Sequence, residues 1–437
     1  MRVEPFRGYR YNPARVPDLS AVLAPPYDQI DEAIQAELYA RDPWNVVRIT
    51  YGREEPGDDG GQNKYLRARA YLDRWIAEGI LVRDAEPALY PYHQTYRIGA
   101  ETVTRRGFIA LGALAEYAEG VVLPHERTHA APKADRLRLL ETTGADTGLL
   151  FMLTSDPAGE LLAATAPTPP PLVEARDRRG ELHQLWRLTD RAAIARVQTL
   201  MAGRRVIIAD GHHRYETALE YRRRTPGADL KLTAMFTLEA PGLTILPNHR
   251  LLHNVEGFAL ASLLARAERW FEVECCTLLA DPVMEAAALL SALDSHVRSG
   301  RVAIAVVAGA EDPGHLLTLR PEAFDRIPWP TGTSRPWRRL AVSILHEGLL
   351  KPVLGITEEI LHRKTHVDYT SDAAEAVTLV RKGSYQGGFL IPPTAPEELQ
   401  EVVRAGELLP QKSTHFYPKL LDGLVFFRLG DTTGAAA

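Results

Sequence analysis

The run "RRVIIADGHHRYETALEYRRR", which begins at Arg204, constrains the fold more than any other stretch of the chain. "VIIA" has the length and β-branching of a buried strand. "RYETALEYRRR" then sets Tyr215, Ala218, Leu219 and Arg222 at helical spacing. Asp210-Gly211-His212-His213-Arg214 therefore occupies a strand-to-helix turn. Free backbone N–H groups and the positive end of the helix dipole make such a turn an anion site. Gly211 lets the backbone approach a phosphate, and Arg214 offers a two-point fork for its oxygens. His212 and His213 can donate hydrogen bonds. Asp210 can hold a metal ion or accept a proton. Two other readings compete with the anion cradle. Adjacent histidines point apart on a regular backbone and no third protein ligand is evident, which weakens a zinc site. A helix-capping Asp with two surface histidines is the bland alternative.

At 437 residues the chain is long enough for two or three packed units. A formal net charge of −5 gives no global pull toward nucleic acid or anionic membrane. Only two cysteines occur, the neighbours Cys275 and Cys276, which excludes a disulfide framework and fits a reducing compartment. The N-terminal "MRVEPFRGYRYNP" lacks the apolar core of a signal peptide. No apolar run approaches the roughly 20 residues of a membrane span. A cytoplasmic location is the expectation.

The organisation is that of a mixed α/β (α+β) protein. Up to about Asn45 the chain is rich in proline and tyrosine, with "SAVLAPPYD" reading as a short buried strand and "VVRITYG" after it as another. "KYLRARAYLDRWIAEGIL" has helical periodicity, and "ALYPYHQTYRIG" with "TRRGFIALGAL" reads as a strand pair. "TDRAAIARVQTLMAG" is a capped helix stopped by Gly203. After about residue 255 helices such as "FALASLLARAERWF" alternate with strands such as "RVAIAVVAG". The expected lobes are therefore 1–255 and 256–437, the second also α/β. "GDTTGAAA" reads as a loose tail.

Four other polar stretches qualify as site material. "LPHERTHAAPKADR" crowds His125, Glu126, Arg127, His129, Lys133, Asp135 and Arg136 just past an apolar strand, where Glu126 is the preferred general base, with Asp210 or Asp28 as alternatives. "APPYDQI" stiffens the approach to Tyr27 and Asp28, of which Asp28 otherwise caps the next helix. "ILPNHRLLH" supplies His249 and Arg250 after a strand. "LPQKSTHFYPKLLDGLVFF" concentrates Lys412, Ser413, Thr414, His415 and Lys419, which could clamp phosphate oxygens; a plain turn before a final strand is the alternative. No Walker pattern is present.

"VIIADGHHRYETAL" resembles the strand–turn–helix box of the ParB and sulfiredoxin-like superfamily, whose members bind nucleotide or phosphate with a Gly-x-x-Arg turn. "PFRGYRYNP", "APPYD", "LPHERT", "DGHHRYETAL", "LPNHR" and "LPQKSTHFYPKLLDGLV" together resemble a widespread family long known as a domain of unknown function. Some of its relatives are serine kinases that use inorganic pyrophosphate. Asn248 stands where threonine is usual and Leu409 where methionine is usual, and neither change removes a charge.

The resemblance implies a ParB/sulfiredoxin-like core in the first lobe and a phosphotransferase that makes O-phosphoserine from free L-serine and pyrophosphate. Gly211 to Arg214 and Arg250 would hold the donor, and Lys412, Ser413, Thr414 and Lys419 would close over it from the C-terminal lobe. Glu126 would activate the hydroxyl, and Tyr27, Asp28, His125 and His249 would face substrate. Magnesium would bridge the phosphates through water and few carboxylates, with no organic cofactor. An ATP- or ADP-dependent kinase is the nearest alternative, although no stretch announces a base and ribose pocket. A nucleotide-gated DNA-binding module is the rival from another class. Negative net charge and the strand-like "LKLTAMFTLEAPGLTIL" after the box count against it. Acceptor, donor, reaction direction and oligomeric state are not legible in the residues.

Overall fold

A computed structural model describes residues 1–127 and 130–431 of the chain; His129 and the last residues of the expected loose tail lie outside them. The architecture is mixed α/β, as expected. The chain falls into two compact units, Met1–Thr244 with Pro418–Ala437, and Ile245–Tyr417. This differs from a division at residue 255, above all because the final segment belongs to the first unit. Its main chain accounts for the difference. Phe427 and Arg428 pair antiparallel with Asp146 and Ala145, Tyr9 bridges Phe426, and Ala24 bridges Asp422. Further fastening comes from Gln94, whose Nε2 donates to the Lys419 carbonyl at 2.9 Å.

The first unit is built on a nine-stranded sheet. Its strands in chain order are β1 (Val3–Glu4), β2 (Tyr90–Ile98), β3 (Glu101–Ala113), β4 (Val122–Leu123), β5 (Leu150–Thr154), β6 (Val173–Arg176), β7 (Leu182–Leu185), β8 (Val206–Asp210) and β9 (Leu230–Thr237). The spatial order is β4-β8-β5-β9-β3-β2-β7-β6, with β1 beside β3. Pairing is parallel for β4 with β8 and for β5 with β9, and antiparallel elsewhere. Four helices matter to the site: α1 (Lys64–Ala77), α2 (Ala130–Thr143), α3 (Arg191–Ala202) and α4 (His212–Arg224).

The uninterrupted apolar run of β8 has a simple cause, since Val206, Ile207, Ile208 and Ala209 are all buried. Val206 and Ile208 join Leu150, Met152 and Met235 of neighbouring strands, Val197 and Met201 of α3, and Tyr215, Ala218 and Leu219 of α4 in one core. A strand buried on both faces needs no polar alternation. The Asp190 carboxylate caps α3, accepting from Ala193 N at 2.7 Å. Arg222, Arg223 and Arg224 fill the last turn of α4, where cations complement the dipole.

Two N-terminal segments differ from the expected strands. Leu19–Val22 is a helical turn whose cap is Asp18, accepting from Ser20 N at 3.0 Å. Val47–Thr50 is also helical, although it is β-branched. Here Asn45 decides: its Oδ1 accepts from Val47 N at 3.0 Å while its Nδ2 donates to Ala21 O at 2.8 Å. Val46, Val47 and Ile49 are fully buried, so packing overrides strand propensity. The cap of the helix after Tyr27–Gln29 is Asp31 rather than Asp28, with Oδ1 accepting from Ile34 N at 2.8 Å.

The second unit carries a six-stranded sheet of His249–Leu252, Phe271–Cys275, Ala303–Ala308, His315–Leu319, Val367–Thr370 and Gly387–Leu390. Helices Pro282–Arg298 and Ala373–Arg381 pack on it through Leu289, Leu293, Ala376, Val377 and Val380. Cys275 is exposed and Cys276 half-buried. Among the described residues no helix is long and apolar enough to cross a membrane.

Candidate active site

The turn between β8 and α4 is shaped before any ligand is considered. The β8–β5 register shifts between Ile208 and Asp210, an irregularity of the kind that re-aims a side chain at a strand end. Gly211 follows with φ +97° and serves as the N-cap of α4. A Cβ there would lie 2.9 Å from Leu150 Cδ2 and 3.0 Å from Arg214 Nε. Gly211→Ala is expected to cost roughly 1–3 kcal/mol of stability and to push the Arg214 side chain aside. Denaturant unfolding checks the first effect, and an unchanged midpoint would show that the turn tolerates a side chain.

Arg214 is the centre of the site. Its side chain is only 10% exposed, yet the single hydrogen bond it makes to a protein acceptor among the described residues runs from Nη1 to the Leu149 carbonyl at 2.6 Å. Nη2 stands 3.9 Å from Asp210, and the buried Nε has no hydrogen-bond partner among the described residues. One turn along the helix, the buried Thr217 hydroxyl also lacks one. Both atoms keep their hydrogen-bonding capacity at the edge of one cavity, which Arg214 and Thr217 line.

Lys419, brought back by the C-terminal segment, places Nζ 3.1 Å from Asp210 Oδ2. Burial would raise the Asp210 pKa, but the charges of Lys419 and Arg214 outweigh it and hold the carboxyl well below the usual range. Asp210 is thus a fixed negative charge at neutral pH, poorly suited to take a proton. Lys419, expected on the C-terminal lobe, belongs to the first unit together with the central box.

The histidines are engaged with protein. His125 donates from Nδ1 to the Ile208 carbonyl at 2.5 Å, and its backbone N–H donates to His212 Nε2 at 3.2 Å. The two rings meet at 4.7 Å in a T-shaped contact. Burial pushes both pKa values down, His212 the further. Both are neutral at pH 7, and His212 Nε2 is already an acceptor, which leaves Nδ1–H as the only ring donor it can offer. Glu126, just after β4, acts electrostatically on His125.

A cavity opens beside Arg214, lined among others by Tyr27, Arg136, Asp146, Gly148, Lys231 and Asp422. Sequence reading gave none of Asp146, Gly148, Lys231 and Asp422 a role. Asp146 is buried and neutralised by Lys231, and it also accepts from Leu232 N at 2.7 Å. Lys231 donates as well to the Gly148 carbonyl at 2.8 Å. Tyr27 lies under the Arg136 guanidinium at 4.4 Å, and burial pushes its pKa up to about 12. Asp28 is exposed.

The remaining expected residues belong to the second unit. Arg250 is fully buried and donates to the carbonyl of Asn248, to Lys412 O at 3.2 Å and to Gln411 O at 3.4 Å. Asn248 Nδ2 also holds the Lys412 carbonyl, at 3.1 Å. Ser413, likewise buried, donates to Pro410 O at 2.5 Å. Lys412, Ser413 and Thr414 therefore sit on a tied-down turn, with Lys412 itself at φ +57°. His249 is buried, accepts at Nδ1 from Ile391 N at 3.3 Å, and burial with the nearby Arg250 charge drops its pKa to about 4. Among the described residues no group of three or more His, Cys, Asp or Glu is gathered as a metal site.

No curated protein matches the chain in sequence. Among solved structures it is similar to a conserved hypothetical protein from Pyrococcus furiosus, at 14% identity and TM-score 0.35, covering 71% of this chain and 93% of that one. A free serine kinase in complex with AMP is similar at 13% identity and TM-score 0.36, covering 68% and 83%. SbnI with a C-terminal truncation, from Staphylococcus aureus, is similar at 10% identity and TM-score 0.37, covering 74% and 87%. The model of a family described as proteins of unknown function, DUF1015, matches residues 3–342. The strand–turn–helix box and most of the dispersed motifs lie within that match, and the chain belongs to the DUF1015 family.

Proposed function

We propose that the protein is a small-molecule phosphotransferase that moves a phosphoryl group from inorganic pyrophosphate to a hydroxyl, with free L-serine as the leading acceptor. One observation carries the phosphate-binding part. Arg214, buried at the first turn of α4, keeps Nε without a hydrogen-bond partner beside a glycine whose backbone can approach closely. A fork of N–H donors and a helix N-terminus together suit a phosphoryl group. Lys419 adds positive charge 3.1 Å from Asp210 and so close to the same turn. Serine and pyrophosphate rest on the resemblance of the dispersed motifs, as does the ParB/sulfiredoxin-like character of the box.

Magnesium, when bound, would supply charge neutralisation at the phosphates. It keeps most of its water and takes one or two carboxylates, so Asp210 is the residue that fits it. The DNA-binding alternative finds less support. Arg222, Arg223 and Arg224, the one basic run beside the box, are paired with Glu116, Glu220 and Glu141 at 2.7–3.2 Å.

The test is direct. Purified protein with Mg²⁺ and L-serine, given pyrophosphate, ATP or ADP in parallel, should yield phosphoserine, with pyrophosphate the best donor. Product from ATP or ADP alone would reassign the donor. No product from any pair, with pyrophosphate left intact, would end this reading.

A further inference from the structure

A hydroxyl attacking phosphorus must lose its proton, and the first unit offers several carboxylates to receive it. Asp210 is held ionised by Lys419 and Arg214. Asp146 is tied to Lys231 and to a backbone N–H. Asp28 is exposed to water. Asp422 differs from all three. It is 5% exposed, it lines the cavity beside Arg214, and no ion pair or hydrogen bond holds its carboxyl among the described residues.

The placement of Asp422 is rigid. Its backbone N–H donates to Ala24 O at 2.9 Å, and its carbonyl accepts from Ala24 N at 3.3 Å. Gly423 follows at φ +98°, where a Cβ would lie 2.9 Å from Leu23 Cδ2. The carboxyl and the Arg214 guanidinium face one small space over Gly148. A Cβ on that glycine would stand 3.7 Å from Asp422 Oδ1 and 3.5 Å from Arg214 Nη1. A phosphoryl group on the Arg214 fork and an acceptor hydroxyl in the cavity would therefore meet beside Asp422.

We propose that Asp422 is the catalytic proton acceptor for the attacking hydroxyl, with the acceptor bound in the cavity lined by Arg214, Thr217 and Asp422. This rests on the phosphotransferase reading. The hydroxyl proton passes to an Asp422 oxygen as the oxygen–phosphorus bond forms. The bridging P–O bond of pyrophosphate breaks, its electron pair leaves with phosphate, and Asp422 returns the proton to that phosphate or to water. The charged groups facing Asp422 are Arg214 from α4, Arg136 from α2, Lys231 from β9, Asp146 before β5 and Asp28 with Tyr27 from the N-terminal segment. Burial pushes the carboxyl up to about 7, against the pull of Arg214, Arg136 and Lys231 and with a push from Asp28. A base near the working pH combines the right charge state with a real affinity for the proton.

The experiment is the pH profile of acceptor kcat/KM for the parent and for Asp422→Asn, with thermal unfolding run on both. The parent should show an acid limb near pH 7. Asp422→Asn should lose that limb and fall in kcat by roughly 100-fold or more, with acceptor KM nearly unchanged. Asp422→Glu, which restores a carboxyl, should recover part of the rate and a shifted limb; it also serves as the readout if the Asn variant does not fold. An Asn variant that keeps the limb, or a Glu variant as dead as Asn, overturns the assignment while the phosphotransferase reading stands. A parent that transfers phosphate to no acceptor overturns both.

Discussion

Arg214→Lys should lower kcat/KM for the phosphoryl donor by about 100-fold while the protein still folds, an effect comparable to removing one preorganised donor from a charge-stabilising site. Lysine keeps the positive charge but presents a point ammonium in place of a planar fork. The structure makes that difference matter. Arg214 uses Nη1 to reach the Leu149 carbonyl at 2.6 Å, which fixes the plane of the guanidinium and leaves Nε and Nη2 for a ligand. A lysine could replace one of these contacts, not all. Stability should fall by about 1–2 kcal/mol, the loss of one hydrogen bond by a buried charged group, so the fold should survive. Initial rates against pyrophosphate concentration decide the matter, and a variant with the parent's KM and kcat would remove Arg214 from the donor site.

Asp422→Asn should make the protein more stable in alkaline solution as it makes it less active. The folded-state pKa of Asp422 is raised from its ordinary value to about 7 by burial. The native protein therefore holds a proton that the unfolded chain has already released, over the window from the ordinary carboxylate pKa up to about 7. The contribution of this group is fully present below that window and is lost as pH rises through it. The distance from the ordinary carboxylate pKa to about 7 corresponds to as much as roughly 4 kcal/mol, the cost of a buried charge above the window. Asn carries no such charge, so its advantage over the parent should grow as pH rises through the window, be complete above about pH 7 and vanish below the window. Asp210 works in the opposite sense, since its depressed pKa contributes stability above the ordinary carboxylate pKa that is lost only as pH falls. Both proteins keep Asp210, so it cancels in the comparison. Denaturant unfolding of parent and variant at the acid end of the window and again above pH 7 measures the difference directly. An equal gap at both pH values would show that the Asp422 carboxyl is not raised. A residue whose replacement stabilises the fold and removes activity is the pattern expected of a strained functional group.

Local features of the site were legible because they depend on neighbours in the chain. Four apolar residues followed by Asp-Gly-His-His-Arg can form a strand, a tight turn and a helix start with no distant partner, and β8, Gly211 and α4 do so. The hairpin of β2 and β3 and the capped helix α3 follow from periodicity and turn residues in the same way. "VVRITYG" was less legible, because its β-branched residues favour a strand while the Asn45 side chain, held by Ala21, starts a helical turn. That outcome turns on contacts more than twenty residues away.

By itself, then, the sequence determined the mixed α/β class, the strand–turn–helix of the central box and the presence of Arg214 at its turn. Only the tertiary structure decided which charges face that turn. Lys419 and Asp422 reach the first unit because the chain returns to it after residue 417, more than 170 residues after leaving it at Thr244. Asp422 is an ordinary Asp-Gly pair in sequence; it becomes a base only where Ala24, Gly148 and Arg214 bury its carboxyl without pairing it. Arg250 and Ser413 also hold a buried turn of the second unit, contacts that no local pattern names. The physical reason is the same in each case. Residue type sets what a side chain can do, but desolvation and the sign of nearby charge, which set what it does, come from parts of the chain that no local pattern names.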